Sequence, residues 1–471
     1  MDGSSPLYAP RVKVYPRAVS GTWRRFKWLA LMVLLGIYYV VPWLRWDRGA
    51  NAPDQAILID LDGRRGWFFD VVIWPQEVYF VTGFLILGAI GLFLATSLFG
   101  RVWCGFTCPQ TVWTDLFMLV ERLIEGDRNQ RMRRDREPLT LAKAARKSAK
   151  HAAWLAIAAA TGGAWVFYYV DAPSTLLKIF RGEASLEVYF FIGLLTATTY
   201  TLAGWAREQV CTYMCPWPRF QAAMLDEQSV IVTYQKWRGE TRGKHKAGDS
   251  WDGRGDCVDC RLCVNVCPTG IDIRDGQQME CIGCGLCIDA CNETMDKVGR
   301  PRGLIRWDTL ARQQDRERAR QPAPWRPVRP RTLLYAALLL VVATAMATAF
   351  FLRGTADLSV QRDRSPNFVR LSSGDIRNSY TVKISNKQRQ ERRFALELRG
   401  LSGAAMTVTG ASDVAAAHLA VHPDSVGTFR VLVTVPATRA PSGSQTVQFV
   451  VRDEIGQETA THGSVFVGPA H

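Results

Sequence analysis

Two runs divide the chain and carry most of its chemistry: Cys257-Val-Asp-Cys260-Arg-Leu-Cys263-Val-Asn-Val-Cys267-Pro268 and Cys281-Ile-Gly-Cys284-Gly-Leu-Cys287-Ile-Asp-Ala-Cys291. Each reads C-x2-C-x2-C-x3-C. At this spacing a tight loop offers three thiolates to one iron cube, and the fourth thiolate, further along, reaches a second cube. The pattern therefore predicts two [4Fe-4S] clusters with crossed ligands: Cys257, Cys260, Cys263 and Cys291 for one, Cys281, Cys284, Cys287 and Cys267 for the other. Zinc sites normally use two separated CxxC pairs, and disulfides are disfavoured on a cytoplasmic face, so iron-sulfur ligation is the better account.

The other four of the 12 cysteines form two copies of C-x3-C-P, Trp103-Cys104-Gly-Phe-Thr-Cys108-Pro109 and Val210-Cys211-Thr-Tyr-Met-Cys215-Pro216. Proline suits the first helical position, which predicts Cys108 and Cys215 as N-caps of helices over Thr111 to Leu123 and Phe220 to Leu225. There a helix dipole favours thiolate and lowers the thiol pKa. Two such pairs offer up to four soft sulfur ligands, with Met214 as a fifth, and soft ligands select Cu(I). The competing reading is packing at a membrane interface, which is also the commoner role of a methionine such as Met214. His151 reads as an interfacial residue rather than a ligand.

Outward from the cysteines, the chain is strongly segregated. Its 471 residues are about three times a usual domain. A hydrophobic content of 48% excludes a disordered chain. Five apolar stretches are expected to cross the membrane as helices: Phe26 to Trp43, Val78 to Phe99, Ala152 to Val170, Leu186 to Ala206 and Thr332 to Leu352. Trp23, Trp28, Trp43, Trp46, Trp74, Trp154 and Trp205 fall at their edges, where amphipathic rings settle. Net charge is +15. It concentrates in the N-terminal arm (Arg11, Lys13, Arg17, Arg24, Arg25) and in the loop from Arg128 to Lys150, which places both on the cytoplasmic side. The loops near Asp47 to Glu77 and near Asp171 to Glu187 are acid-rich and belong outside, and the odd span count then puts the C-terminal domain there too. The basic charge is thus a topology signal, and no nucleic-acid partner is expected. The first apolar run lacks a small-residue cleavage site and reads as a span, not a signal peptide.

The sequence divides into 1–238, a four-span membrane domain with both CxxxCP motifs; 239–310, the cytoplasmic two-cluster domain; 311–353, linker and fifth span; and 354–471. In the last part Tyr380, Val382 and Ile384, then Phe429, Val431 and Val433, then Val447, Phe449 and Val451 alternate at period two, the mark of an antiparallel sandwich. The succession of span, CxxxCP and amphipathic helix occurs twice, and such repeats place a shared site at their interface. The fold class expected is a five-span α-helical membrane domain, an α+β two-cluster ferredoxin-like insert and a C-terminal all-β immunoglobulin-like sandwich.

From Asp256 to Glu293 the chain resembles bacterial two-cluster ferredoxins, with Asn292 where those usually carry proline; asparagine also tolerates a turn. Five spans, two CxxxCP pairs, the ferredoxin insert before the last span and the immunoglobulin-like tail together resemble the cytochrome c oxidase accessory proteins of the CcoG, FixG and RdxA type, over essentially the full length. The resemblance implies a protein of the bacterial inner membrane that supports assembly of the cbb-type haem-copper oxidase by reducing Cu(II) to Cu(I). It implies copper at Cys104, Cys108, Cys211 and Cys215 and cluster ligation by the eight ferredoxin cysteines. The expected partners are a cytosolic electron donor, a copper chaperone or transporter, the oxidase assembly machinery and membrane lipids, with a homodimer left open. Two alternatives stand beside it: a quinol-oxidising electron-transfer subunit, and a non-catalytic assembly scaffold. No haem CxxCH motif and no GxGxxG fingerprint occur, so the chain holds no internal donor of those kinds.

Overall fold

In lipid a backbone has only itself to bond with, so apolar stretches with few charges close into helices. The computed structural model describes residues 13–49, 52–246, 248–409, 418–453 and 459–469; Arg11 lies outside the described residues. The chain divides into two units, Met1–Trp46 with Gln55–Met346, and Asp47–Asp54 with Ala347–His471.

The first unit runs α1 (Thr22–Val40), a small antiparallel sheet of β1 (Ile57–Asp60), β2 (Arg65–Phe68) and β3 (Val71–Ile73), then α2 (Tyr79–Phe99) and α3 (Pro109–Glu125). It continues with α4 (Arg128–Arg136), α5 (Leu141–Val166), α6 (Ala172–Arg181), α7 (Leu186–Thr199) and α8 (Trp217–Met224). The iron-sulfur segment follows as β4 (Ile231–Tyr234), α9 (Lys236–Gly239), α10 (Leu262–Asn265), α11 (Leu286–Lys297), β5 (Ile305–Asp308) and α12 (Leu310–Glu317), with β4 and β5 paired antiparallel. Helix α13 (Pro330–Phe351) leads into the second unit.

Among the described residues four helical stretches, not five, are long and apolar enough to cross a membrane: Thr22–Trp43, Pro75–Phe99, Leu186–Ala206 and Pro330–Phe351. They present large apolar side chains outward, Leu85 at 71% exposure and Leu340 at 67%, as lipid-facing helices do. The expected span Ala152–Val170 falls short because its helix, α5, begins eleven residues earlier with Lys143, Arg146, Lys147 and Lys150, and its apolar part is rich in small Ala and Gly. One face of that part is covered by protein, while Leu155 and Trp165 on the other are 46% and 47% exposed. Trp154 and Ala158 are buried, and a Cβ on Gly162 would stand 2.8 Å from the Ile192 carbonyl of α7. Even so, α5 joins the two ends of the bundle. Lys150 pairs with Glu121 and Glu125 of α3, while past the other end Gln55 donates to the Phe167 carbonyl and the Ile59 amide to that of Tyr168.

In the second unit the period-two runs form an immunoglobulin-like sandwich. Its strands are β6 (Ala356–Arg362), β7 (Val369–Arg370), β8 (Ile376–Asn386), β9 (Arg392–Arg399), β10 (Ala405–Val408), β11 (His418–Val421), β12 (Ser425–Val435), β13 (Ser444–Asp453) and β14 (Thr459–Val467). One sheet has the order β10-β12-β8-β6 with β7 also on β8; the other is β11-β9-β13-β14. Tyr380, Val382, Ile384, Val431, Val433, Val447, Phe449 and Val451 fill the core between them, with Phe429 partly buried against it. The Tyr380 hydroxyl donates to the Val465 carbonyl at 3.0 Å, giving a buried polar group its partner.

Candidate metal centre

The eight ferredoxin cysteines are free thiols and line two neighbouring cavities. Cys257, Cys260, Cys263 and Cys291 line one; Cys267, Cys281, Cys284 and Cys287 line the other, and Cys263 touches both. The short helix α10 starts inside the first run and α11 inside the second, so each run is a loop wrapped over a helix start. Burial pushes the thiols of Cys263, Cys281 and Cys291 up to about 12. In these cavities thiolate needs a positive partner, and two chambers each lined by four sulfurs fit the iron-sulfur cubes that the spacing implies. Asn292 makes no turn: α11 continues to Lys297, and the Asn292 side chain accepts the Gly303 amide at 3.0 Å. A proline there would lack the backbone N–H that a helix interior uses.

Both CxxxCP motifs adopt the same local structure. Trp103–Thr107 and Val210–Met214 are single π-helical turns, closed by the second cysteine, whose amide donates to the carbonyl five residues back: Cys108 to Trp103 at 2.8 Å, Cys215 to Val210 at 2.7 Å. Such wide turns gather at functional sites. Cys108 is the N-cap of α3, as its following proline predicts. Cys215 is not the cap of α8; Pro216 is, because a second proline, Pro218, moves the helix start by one residue. The first cysteine of each pair, which caps no helix, is shifted upward. Cys104 is pushed up to about 12, by burial first and then by the nearby charges of Cys108, Cys211 and Cys215; Cys211 is pushed up to about 11, again chiefly by burial. Desolvation disfavours the thiolate there.

The same influences place the four thiols in one neighbourhood, as the repeat predicts. Among the described residues, however, no three His, Cys, Asp or Glu side chains close on a point where one ion would sit. Cys104 donates to Gln221 Oε1 of α8 at 3.2 Å, which ties the first motif to the helix after the second. Met214 is 61% exposed. His151 shares a 2.9 Å hydrogen bond with the Tyr200 hydroxyl and packs on Trp154 and Trp205, an interfacial aromatic cluster.

The thiol motifs adjoin the second cavity. Cys104 and Cys211 pack in one apolar cluster with Cys284, Cys287, Leu286 and Trp217. A Cβ on Gly105 would lie 2.7 Å from the Gly283 carbonyl, so backbone meets backbone where Cys-Gly-Phe-Thr-Cys crosses Cys-Ile-Gly-Cys. Gly283 itself has φ +66°, a conformation that favours glycine.

Buried charges lock this arrangement. Asp115 of α3 takes Arg24 at 2.9 Å and Lys27 at 3.4 Å, both from α1, and all three are nearly inaccessible. Burial alone would raise Glu121, but Arg207, Arg131 and Lys150 hold it down at about 2. Arg101 donates to the carbonyls of Cys281 and Pro218, each at 3.1 Å, and to that of Met279. Spacing arguments could not find Asp115, Glu121, Gln221 or Arg101; the one available signal was charge and amide side chains in otherwise apolar helices beside each CxxxCP.

Family profiles match along the chain. Residues 81–125 match a 4Fe-4S binding domain, 206–310 a 4Fe-4S dicluster domain, and 346–469 the IG-like fold at the C-terminal of FixG. The nitrogen fixation protein FixG of Rhizobium meliloti is 48% identical over 98% of this chain and 94% of its own length. RdxB and RdxA of Cereibacter sphaeroides are 51% and 50% identical, covering 92% and 96% of this chain and 88% and 96% of their own. A crystal structure of a FixG-related protein from Vibrio parahaemolyticus aligns with 24% of this chain and 97% of its own, at 25% identity and a TM-score of 0.22. With 4Fe-4S domains, membrane helices and the C-terminal sandwich in this order, the chain belongs to the FixG/RdxA family.

Proposed function

We propose that this membrane iron-sulfur protein supports assembly of a cbb-type cytochrome c oxidase by reducing Cu(II) to Cu(I) at Cys104, Cys108, Cys211 and Cys215. The reading rests above all on the backbone contact of Gly105 with Gly283, which sets the membrane-edge thiols against the second cysteine chamber. Cys257, Cys260, Cys263 and Cys291 hold one [4Fe-4S] cluster, and Cys281, Cys284, Cys287 and Cys267 the other. When bound, such clusters exchange single electrons, which matches a one-electron metal reduction. The thiol pairs bind the copper substrate, and soft sulfur favours the reduced ion over the oxidised one.

The Arg- and Lys-rich arm and the α4 region face the cytoplasm with the iron-sulfur segment, within reach of a cytosolic donor. A single crossing by α13 then carries the sandwich to the periplasm, where it is free to engage the oxidase assembly machinery; Cu(I) leaves to a chaperone or transporter. The test compares wild type with a chain in which Cys104, Cys108, Cys211 and Cys215 are all serine. Loss of Cu(II) reduction at unchanged iron content supports the reading; undiminished reduction removes these thiols from it.

One observation favours a quinol-oxidising subunit instead. A cavity of about 200 Å³ lies beside the first motif, starting at Pro109 and lined by Tyr38, Gln110, Trp113, Thr161 and Leu202. Reduction of the clusters by a quinol with no copper present, lost on Trp113→Ala, is the outcome that reading predicts.

A further inference from the structure

Arg101 is the first residue beyond the glycine that ends α2, and only 6% of it is exposed. A guanidinium taken out of water is costly to bury unless a charge answers it. The other buried cations of this region have one: Arg24 and Lys27 have Asp115, and Arg131, Lys150 and Arg207 have Glu121. Arg101 has only carbonyls, those of Met279, Cys281 and Pro218, and no carboxylate within ion-pair distance among the described residues. Its Nε is buried with no hydrogen-bond partner. The ionisable groups that act on it most are Cys281 and Cys104, one from each sulfur centre, followed by Glu280. A Cβ on Gly283, within the second cysteine run, would stand 3.3 Å from the Arg101 carbonyl oxygen and 3.4 Å from its Cβ, so the two residues lie against each other.

Four thiolates around an iron-sulfur cube carry net negative charge, and local charge is one of the levers on cluster potential. We infer that Arg101 is a positioning residue for electron transfer: it clasps the loop of the second cluster to the thiol motif, and its uncompensated positive charge makes that cluster, not the first, the place where an electron settles. This rests on the assignment of Cys267, Cys281, Cys284 and Cys287 to one cluster. Because the second chamber is also the one that touches Cys104 and Cys211, the charge draws the electron to the membrane side of the pair. No atom is transferred; each cluster gains or loses one electron.

The test is a redox titration of the purified full chain by electron paramagnetic resonance, on wild type, Arg101→Gln and Arg101→Lys. The second cluster's signal is identified as the one lost in Cys284→Ser. In Arg101→Gln that signal's midpoint is expected to fall so that its reduced-to-oxidised ratio at fixed potential drops about tenfold, about 59 mV for one electron. The other cluster's midpoint should stay in place, and Arg101→Lys, which keeps the charge but not the fork of donors, should hold near wild type. An unmoved midpoint in Arg101→Gln with both clusters loaded, or an equal shift of both clusters, would overturn the inference. Loss of the second cluster from both variants would overturn it too, in favour of a purely structural clasp. If only the Gln variant loses its cluster, the Lys midpoint decides, with a fall counting against the charge. Iron and sulfide analysis of wild type tests the underlying assignment separately, since fewer than two four-iron clusters would remove that assignment itself.

Discussion

At Gly105 the smallest side chain stands where two sulfur loops meet. A Gly105→Val chain must push the Gly283 carbonyl away, since even a Cβ would lie 2.7 Å from it. That variant is expected to keep the first cluster's paramagnetic signal and to lose or broaden the second's. Asp115 is a second single-residue lever. Asp115→Asn leaves Arg24 and Lys27 buried beside a neutral amide, and breaking a buried pair costs roughly 3–5 kcal/mol; thermal unfolding in detergent should show it. Glu121 makes the same region sensitive to acid. Its folded pKa is depressed from 4.5 to about 2, so its stabilisation is complete above pH 4.5 and lost as pH falls toward 2. The amount is on the order of 3 kcal/mol, and Glu121→Gln should flatten that part of the stability profile. The grouping of the eight ferredoxin cysteines into two crossed sets was legible from spacing, because ligand sets recur at fixed intervals along a chain. Asp115, Glu121 and Arg101 were not, because their partners lie on other helices and no spacing records them.

Helices show where local rules decide and where packing overrides them. Span α1 begins at Gly21, which has no side chain to cap it, and the cap comes from the iron-sulfur segment: Asp289 accepts the amides of Trp23 and Arg24 at 3.3 and 2.8 Å. Asp289→Ala should cost about 1 kcal/mol, within the 0.5–2 kcal/mol usual for a cap, read as a lower unfolding midpoint with both clusters retained. Proline arguments located the α3 start at Cys108 but missed the α8 start by one residue, and they carry no information on Cys104 and Cys211, whose thiols burial raises. Hydropathy found the four lipid-facing helices and overrated α5, where small residues lower the hydropathy and Gly162 serves close contact with α7.

For the whole molecule, alternation at period two was enough to read the sandwich, since one face of every strand has to enter the core. The periplasmic side proposed for it rests on loop charge and on a crossing by α13. Reporter fusions after Arg238 and after Thr355 are expected to give opposite signals, cytoplasmic and periplasmic, and equal signals would mean that α13 does not cross. What spacing could not reveal was that the two sulfur systems, more than forty residues apart in sequence, adjoin through Gly105, Gly283 and the apolar packing of Cys104 and Cys211 on Cys284 and Cys287. The most direct test of that link is a single turnover. The clusters are reduced, excess reductant is removed, one equivalent of Cu(II) is added, and the Cu(II) paramagnetic signal is followed together with the visible absorption of the clusters. We predict that the copper signal disappears as cluster colour returns, at the same rate, in wild type and not in the Cys104, Cys108, Cys211 and Cys215 serine chain. Cluster reoxidation by copper at the same rate in both chains would contradict the account.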